Sequence, residues 1–352
     1  MKAIIYDGKA LTARLSLRIK RDTERLRRQR HIEVGLGILL VTGDQVSMAD
    51  ATKVASTAEE VGIKVQIERV AQRNIARKFY PTLEEYAASP FIQGIYVQLP
   101  LPTEIIPLEE VMRRLPPQKD VGGIHFTNRG MATFPPHEVD KTVNAPEILA
   151  VAATLRECKI ELKGGKVALV GSDSTAGMVK LLAGYLYDKG CDVRALRYEN
   201  MHPVVGPADT PRRLRSIEQA ASQERGESIN PNGEAIVTWT NQPGWLHSAR
   251  VKPGSVIIDM GYKFARGLVS GDCDFDSLAQ MPCIITPVPG GVRNIVRVMI
   301  LQNLIQLIKM QIGAKEEQAA GALRRRFGVT SGEGSSPLRR GKPGQGQGAG
   351  QG

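Results

Sequence analysis

Cysteine is scarce in this 352-residue chain. There are four, Cys158, Cys191, Cys273 and Cys283, and no two form a CxxC pair. They are expected to be buried or reduced thiols of a cytoplasmic protein, with no disulfide framework and no metal site. No uninterrupted apolar run reaches the roughly 18 residues of a membrane span, so no membrane partner is expected. Aromatic residues make up only 5% of the chain, and no aromatic-rich sheet or zinc knuckle is present. Nucleic acid is therefore not an expected partner, in spite of the charge.

That charge is +11, from 47 Lys and Arg against 36 Asp and Glu. Much of it lies in RIKRDTERLRRQRH (18–31) and in a tail bearing RRR at 324–326 and RRGK at 339–342. The first stretch reads as a solvated helix face. The tail from 316 ends in GEGSSPLRRGKPGQGQGAGQG, too poor in apolar surface to offset its ordering entropy, so 316–352 is expected to be disordered. An Arg-rich start can be a targeting signal, but Asp7, Asp22 and Glu24 oppose that. AIIYDGKAL (3–11) reads as a strand and turn of the fold itself.

The remaining length suffices for two domains. GLGILLV (35–41), IKVQIERV (63–70) and FIQGIYVQL (91–99) read as strands. Between them lie a helix capped by Ser47 and stopped by Gly62, and a short helix in PTLEEYAAS (81–89). Strand–helix alternation argues for a parallel sheet covered by helices. A second unit begins near 146 with the amphipathic helix PEILAVAATLREC. KVALVG (166–171), CDVRALR (191–197), EAIVTWT (234–240) and SVIIDMG (255–261) follow as strands, and NIVRVMILQNLIQLIKM (294–310) as a long apolar helix.

Two places carry chemistry. In GIYVQLPLP (94–102) a core strand ends on one amide, Gln98, and the prolines then stop the ladder. A polar group at the carboxyl end of a parallel strand lies where open α/β sheets place ligands. In the second unit KVALVG runs into GSDSTAG (171–177) and then a helix. Backbone N–H groups of Gly171, Ser172, Asp173, Ser174 and Gly177 can approach a phosphate there. The glycines are too far apart for the usual dinucleotide fingerprint, so a merely tight turn stands beside cofactor binding on spacing alone. Arg197, at the tip of the next strand, would suit a 2′-phosphate and hence NADP, with NAD not excluded.

Taken together, IIYDGK, GIYVQLPLP, DVGGIHFTNRG (120–130), the GSDSTAG unit, GSVIIDMGY, SGDCDF (270–275) and ITPVPGGV (285–292) give a chain that resembles the bifunctional methylenetetrahydrofolate dehydrogenase/methenyltetrahydrofolate cyclohydrolases over about 3–312. The resemblance implies a two-domain α/β fold with a cleft. Residues 1–145 plus 286–315 would form a folate-type catalytic domain, and 146–285 a Rossmann-like NADP-binding domain. It implies hydride transfer to NADP, then hydrolysis of the methenyl bridge. It also implies Gln98 at the folate, substrate contacts from Asp50, Pro289, Gly290 and Gly291, and cofactor contacts reaching Tyr262. By the same resemblance the protein is a homodimer, or a heteromer with a relative, that binds a folate-type small molecule.

The family pattern also breaks. Its helix places Tyr and Lys where this chain has Asp50 and Val54; Lys53 is one position early and so turned by about 100°, and with its long stem reaching the cleft it would be the catalytic candidate beside Gln98. Its pterin-binding Asp falls on Gly122. Gly-Arg-Ser at the cofactor turn becomes Gly171-Ser172-Asp173, and a carboxylate near a phosphate repels it unless it turns away. The expectation is a dehydrogenase-like protein with weak or lost cyclohydrolase activity. The alternatives are a degenerate regulatory subunit or an enzyme with a changed substrate.

Overall fold

The computed structural model of the chain describes residues 2–133, 143–198, 235–265 and 268–327. The segment of His137, Asp140 and Lys141, the polar stretch 199–233 and the last residues of the tail lie outside the described residues. The described residues up to Gln311 form one compact unit, and those from Ile312 a second.

The chain runs β1 (Ile4–Ile5), α1 (Lys9–Arg30), β2 (Gly35–Val41), α2 (Gln45–Glu60), β3 (Lys64–Val70), α3 (Ile75–Ala88), β4 (Gly94–Val97), α4 (Leu108–Arg114), α5 (Phe126–Thr133) and α6 (Pro146–Glu157). It continues with β5 (Lys166–Gly171), α7 (Ala176–Asp188), β6 (Asp192–Arg197), β7 (Ala235–Trp239), β8 (Val256–Asp259), β9 (Lys263–Ala265), β10 (Leu268–Ser270), α8 (Phe275–Ala279), β11 (Ile284–Ile285) and α9 (Val292–Phe327). β3, β2 and β4 form a parallel three-stranded sheet, in that order. A six-stranded parallel sheet has the order β1-β11-β8-β7-β5-β6. Parallel sheets bury both faces, and their strands accordingly read as continuous apolar runs. In β2, Leu36, Ile38, Leu39 and Leu40 are all fully buried.

The two glycines of β2 are dictated by close approach. A Cβ on Gly35 would lie 1.9 Å from the Phe91 carbonyl oxygen, and one on Gly37 would lie 2.5 Å from the Tyr86 ring. α1 buries Leu11, Leu15, Ile19 and Leu26 at helical spacing and turns Arg18, Lys20, Arg21, Arg27, Arg28 and Arg30 to solvent. Its basic last turn complements the negative end of the helix.

Several elements differ from the sequence expectation. β1 joins the six-stranded sheet beside β11, although its sequence neighbours belong to the first lobe. Asp44, not Ser47, caps α2, its carboxylate accepting from the Val46 and Ser47 N–H groups at 3.2 and 3.0 Å. α3 starts at Ile75 and carries Pro81 within it. The expected disorder from 316 is corrected as far as Phe327, because α9 continues through KEEQAAGALRRR, a run dominated by strong helix formers. Val292–Ala319 is also long and apolar enough to cross a membrane by composition alone, but its first part, through Ile308, is mostly buried in the protein, as befits a core helix. α9 is tied to the first lobe by Asn303, whose amide donates to the Val121 and Asn144 carbonyls, both at 2.9 Å.

Candidate active site

A cavity of about 650 Å³ opens between the carboxyl ends of the two sheets. From the first lobe it is lined by Asp50, Tyr96, Gln98 and Gly122, and from the second by Ser174, Thr175, Trp239, Asn241 and Tyr262. Alternation along β4 explains one wall, since Tyr96 and Gln98 are two residues apart and project to the same face. Gln98 is only 5% exposed. Its Nε2 donates to the Leu99 carbonyl at 2.7 Å, while its buried Oε1 has no hydrogen-bond partner. A buried unpaired carbonyl is costly, so an N–H or O–H donor from a ligand is favoured there. Burial, with the charges of Glu147 and Asp50, pushes the Tyr96 phenol up, so it remains a neutral hydroxyl.

Asp50 lines the cavity with both carboxylate oxygens occupied. Arg293 Nη1 donates to Oδ2 at 2.8 Å, and Arg297 donates to Oδ1 from Nε at 3.0 Å and Nη2 at 2.8 Å. Arg297 is held in turn by Asn294 Oδ1 at 2.7 Å. The Arg293 guanidinium stacks on the Tyr262 ring, 3.7 Å from its centroid. A helical face on α9 thus clamps Asp50.

Lys53 stands apart from Gln98. It is exposed and lines a smaller pocket of about 260 Å³ with Pro289, Gly290, Gly291, Tyr262 and the two arginines. The next residue, Val54, is 1% exposed and packs in the core. The structure therefore brings Asp50, Gln98, Ser174 and Tyr262 together in one cavity, and Lys53 with the Pro289–Gly291 turn in another. Glu147 lines both.

The cofactor turn is more closed than its sequence suggests. A Cβ on Gly171 would meet Val179 Cγ2 at 2.6 Å, so glycine is needed where β5 meets α7. The Ser172 N–H donates to Thr175 Oγ1 at 2.9 Å, and the Thr175 N–H to the Ser172 carbonyl at 3.0 Å. The Thr175 hydroxyl also donates to the Trp239 carbonyl, tying the turn to the end of β7. Gly177 by contrast faces open space in the direction of a Cβ, at the start of α7. Asp173 does turn aside, pairing with Arg197 Nη1 at 3.0 Å.

Buried carboxylates hold the loops around this turn. Asp272 accepts from the Thr238 hydroxyl at 2.7 Å and from the Thr240 and Gln242 N–H groups at 2.6 and 3.0 Å. Asp259 accepts from the Gly261, Asp272 and Cys273 N–H groups. Burial, reinforced by the Asp272 charge, pushes the Asp259 carboxyl up to about 6. Asn241, in a left-handed backbone conformation at φ 58°, accepts from the Tyr262 N–H at 3.0 Å.

Sequence reasoning missed Tyr96, Thr175, Asn241 and Glu147. Glu147 was detectable. It stands three, four and seven residues before the buried Ala150, Val151 and Thr154 and so falls on the inward stripe of α6.

Sequence comparison meets this geometry from the other side. The family described as tetrahydrofolate dehydrogenase/cyclohydrolase, catalytic domain, matches residues 6–122, and its NAD(P)-binding domain matches residues 217–312. The bifunctional protein FolD of Halalkalibacterium halodurans is 27% identical over 309 residues, covering 88% of this chain and 100% of the relative. That of Desulforamulus reducens is 25% identical over 314 residues, 89% and 99% of the two chains. A methylenetetrahydrofolate dehydrogenase structure from the silkworm Bombyx mori superposes with a TM-score of 0.71 at 25% identity, over 88% of this chain and 99% of that one. The Trypanosoma brucei dehydrogenase-cyclohydrolase, solved with NADP cofactor and inhibitor, has the same fold, with a TM-score of 0.71 at 22% identity over 89% and 99%.

Proposed function

Because the chain belongs to the tetrahydrofolate dehydrogenase/cyclohydrolase family of one-carbon metabolism, we propose that it is an NADP-dependent methylenetetrahydrofolate dehydrogenase whose hydrolytic step is weak or lost. The observation that carries this reading is the main cavity. It sets the unpaired Gln98 amide oxygen opposite the end of the second sheet, and among the described residues no lysine lines it.

The cofactor turn fits a dinucleotide. Gly171 allows the tight strand-to-helix junction, Gly177 leaves room above the start of α7, and Arg197 stands at the tip of β6. NADP, when bound, supplies the hydride acceptor. The chain's own part is to orient and enclose. Gln98 holds the reacting end of the folate, Tyr262 and Asn241 form the opposite wall, and Ser174 and Gly177 receive phosphate, Ser172 being buried with its N–H committed to Thr175. Hydride transfer depends chiefly on such positioning. Hydrolysis asks in addition for a group that manages a proton and a water. Val54 is in the core, Lys53 opens on the smaller pocket and Asp50 is engaged by two arginines, which supports a chain deprived of that group.

The Asp50 clamp also favours a second reading, a degenerate subunit or an enzyme with a changed substrate. Purified protein separates the two. NADPH formation from methylenetetrahydrofolate without loss of the methenyl chromophore is the expected result. Neither activity, with NADP binding intact, refutes dehydrogenase function and leaves the second reading. On the family resemblance the protein assembles as a homodimer, or with a relative, through its cofactor lobe; sedimentation at a monomer mass would refute that.

A further inference from the structure

The main cavity has few carboxylates on its wall, and most are spent. Asp44 uses both oxygens to cap α2, and Asp50 gives both to Arg293 and Arg297. Gly122 contributes no side chain at all, and a Cβ there would be in ordinary contact with Asp120 Oδ1 and Ile124 Cγ2, both at 3.6 Å, and with Tyr96 at 3.9 Å. Glu147 is the exception. It projects from the first turn of α6 into both pockets, and no side-chain hydrogen bond or ion pair among the described residues takes its carboxylate. Burial raises this carboxyl above its ordinary range; its own N–H and the charges of Arg293 and Arg129 only partly offset that, and Asp50 opposes them. A half-buried carboxylate that only its own N–H satisfies is well placed to accept from donors that a ligand supplies.

A pterin ring presents such donors, the ring N3–H and the 2-amino group side by side, matched to the two oxygens of one carboxylate. Resting on the folate reading above, we infer that Glu147 is the carboxylate that receives the pterin edge in this chain, a specificity-determining residue acting from α6 where the family pattern acts from position 122. The space left by Gly122 lets the ring lie against Tyr96 and reach it.

The test compares tetrahydrofolate with its 2-desamino analogue on the full-length protein, with NADPH binding measured alongside. The wild type should prefer tetrahydrofolate, and E147Q should lose about 10- to 100-fold in tetrahydrofolate affinity. E147Q should also lose the preference over the analogue while keeping its NADPH affinity. The double variant G122D/E147Q should recover the preference, since position 122 has room for a side chain. Unchanged tetrahydrofolate affinity or retained discrimination in E147Q overturns the assignment, as does equal loss of NADPH binding. Failure of the wild type to bind tetrahydrofolate at all overturns the folate reading itself, and the assignment with it.

Discussion

Replacing Asp50 by alanine removes the one anion between two guanidinium groups, and the structure ranks the consequences. The Asp50 side chain is 11% exposed and that of Arg297 13%, whereas that of Arg293 is 37% exposed and stacked on Tyr262. Breaking a buried ion pair from one side costs about 3–5 kcal/mol, because the remaining charge stays buried without compensation. Asp50→Ala should reach that range through Arg297. Arg297→Met leaves Asp50 one partner, Arg293, and should cost about 2–3 kcal/mol. For Arg293→Met the solvent-screened pair contributes little, about 1 kcal/mol or less. Urea denaturation midpoints at matched slopes give the three values. A double-mutant cycle between 50 and 297 should show coupling above about 1 kcal/mol. Should Asp50→Ala fall within about 0.5 kcal/mol of wild type, or Arg293→Met cost more than Arg297→Met, the clamp does not hold the cavity wall.

Other outcomes follow from single contacts. Asp259 has a folded-state pKa of about 6 against an ordinary 3.8. The native state therefore binds the proton more tightly, and this group's contribution is fully present below about pH 4 and lost as pH rises to about 6. It amounts to about 3 kcal/mol, and Asp259→Asn should flatten that part of the stability–pH curve; an unchanged curve refutes it. Gly35→Ala should destabilise by about 3 kcal/mol or prevent folding, because the Phe91 carbonyl in its way is backbone and cannot swing aside. At the cofactor turn, Asp173→Ala frees Arg197 and should tighten NADP several-fold, while Arg197→Ala should weaken NADP more than NAD. Equal effects on both nucleotides would remove Arg197 from 2′-phosphate recognition.

Much of the frame was legible because it is local. GLGILLV, KVALVG, EAIVTWT and SVIIDMG are apolar runs of strand length, and each forms a strand of a parallel sheet. The position of Gln98 at the end of β4 was equally legible, because prolines follow it directly. Caps were less so. Ser47 and Asp44 are both competent to cap a helix, and only the backbone geometry gives the role to Asp44.

What the chain alone determined is thus the alternation of strands and helices, the amide at the end of GIYVQLPLP and the glycine-requiring turn at 171. These rest on interactions within a few residues, which the order of side chains dictates. Tertiary structure alone decided that β1 lies beside β11, that Asp50 is clamped by arginines 243 and 247 residues away, and that Glu147 and Gly122 line one cavity. Those pairings depend on which surfaces meet when the lobes pack, and no local periodicity records where a distant guanidinium will come to rest.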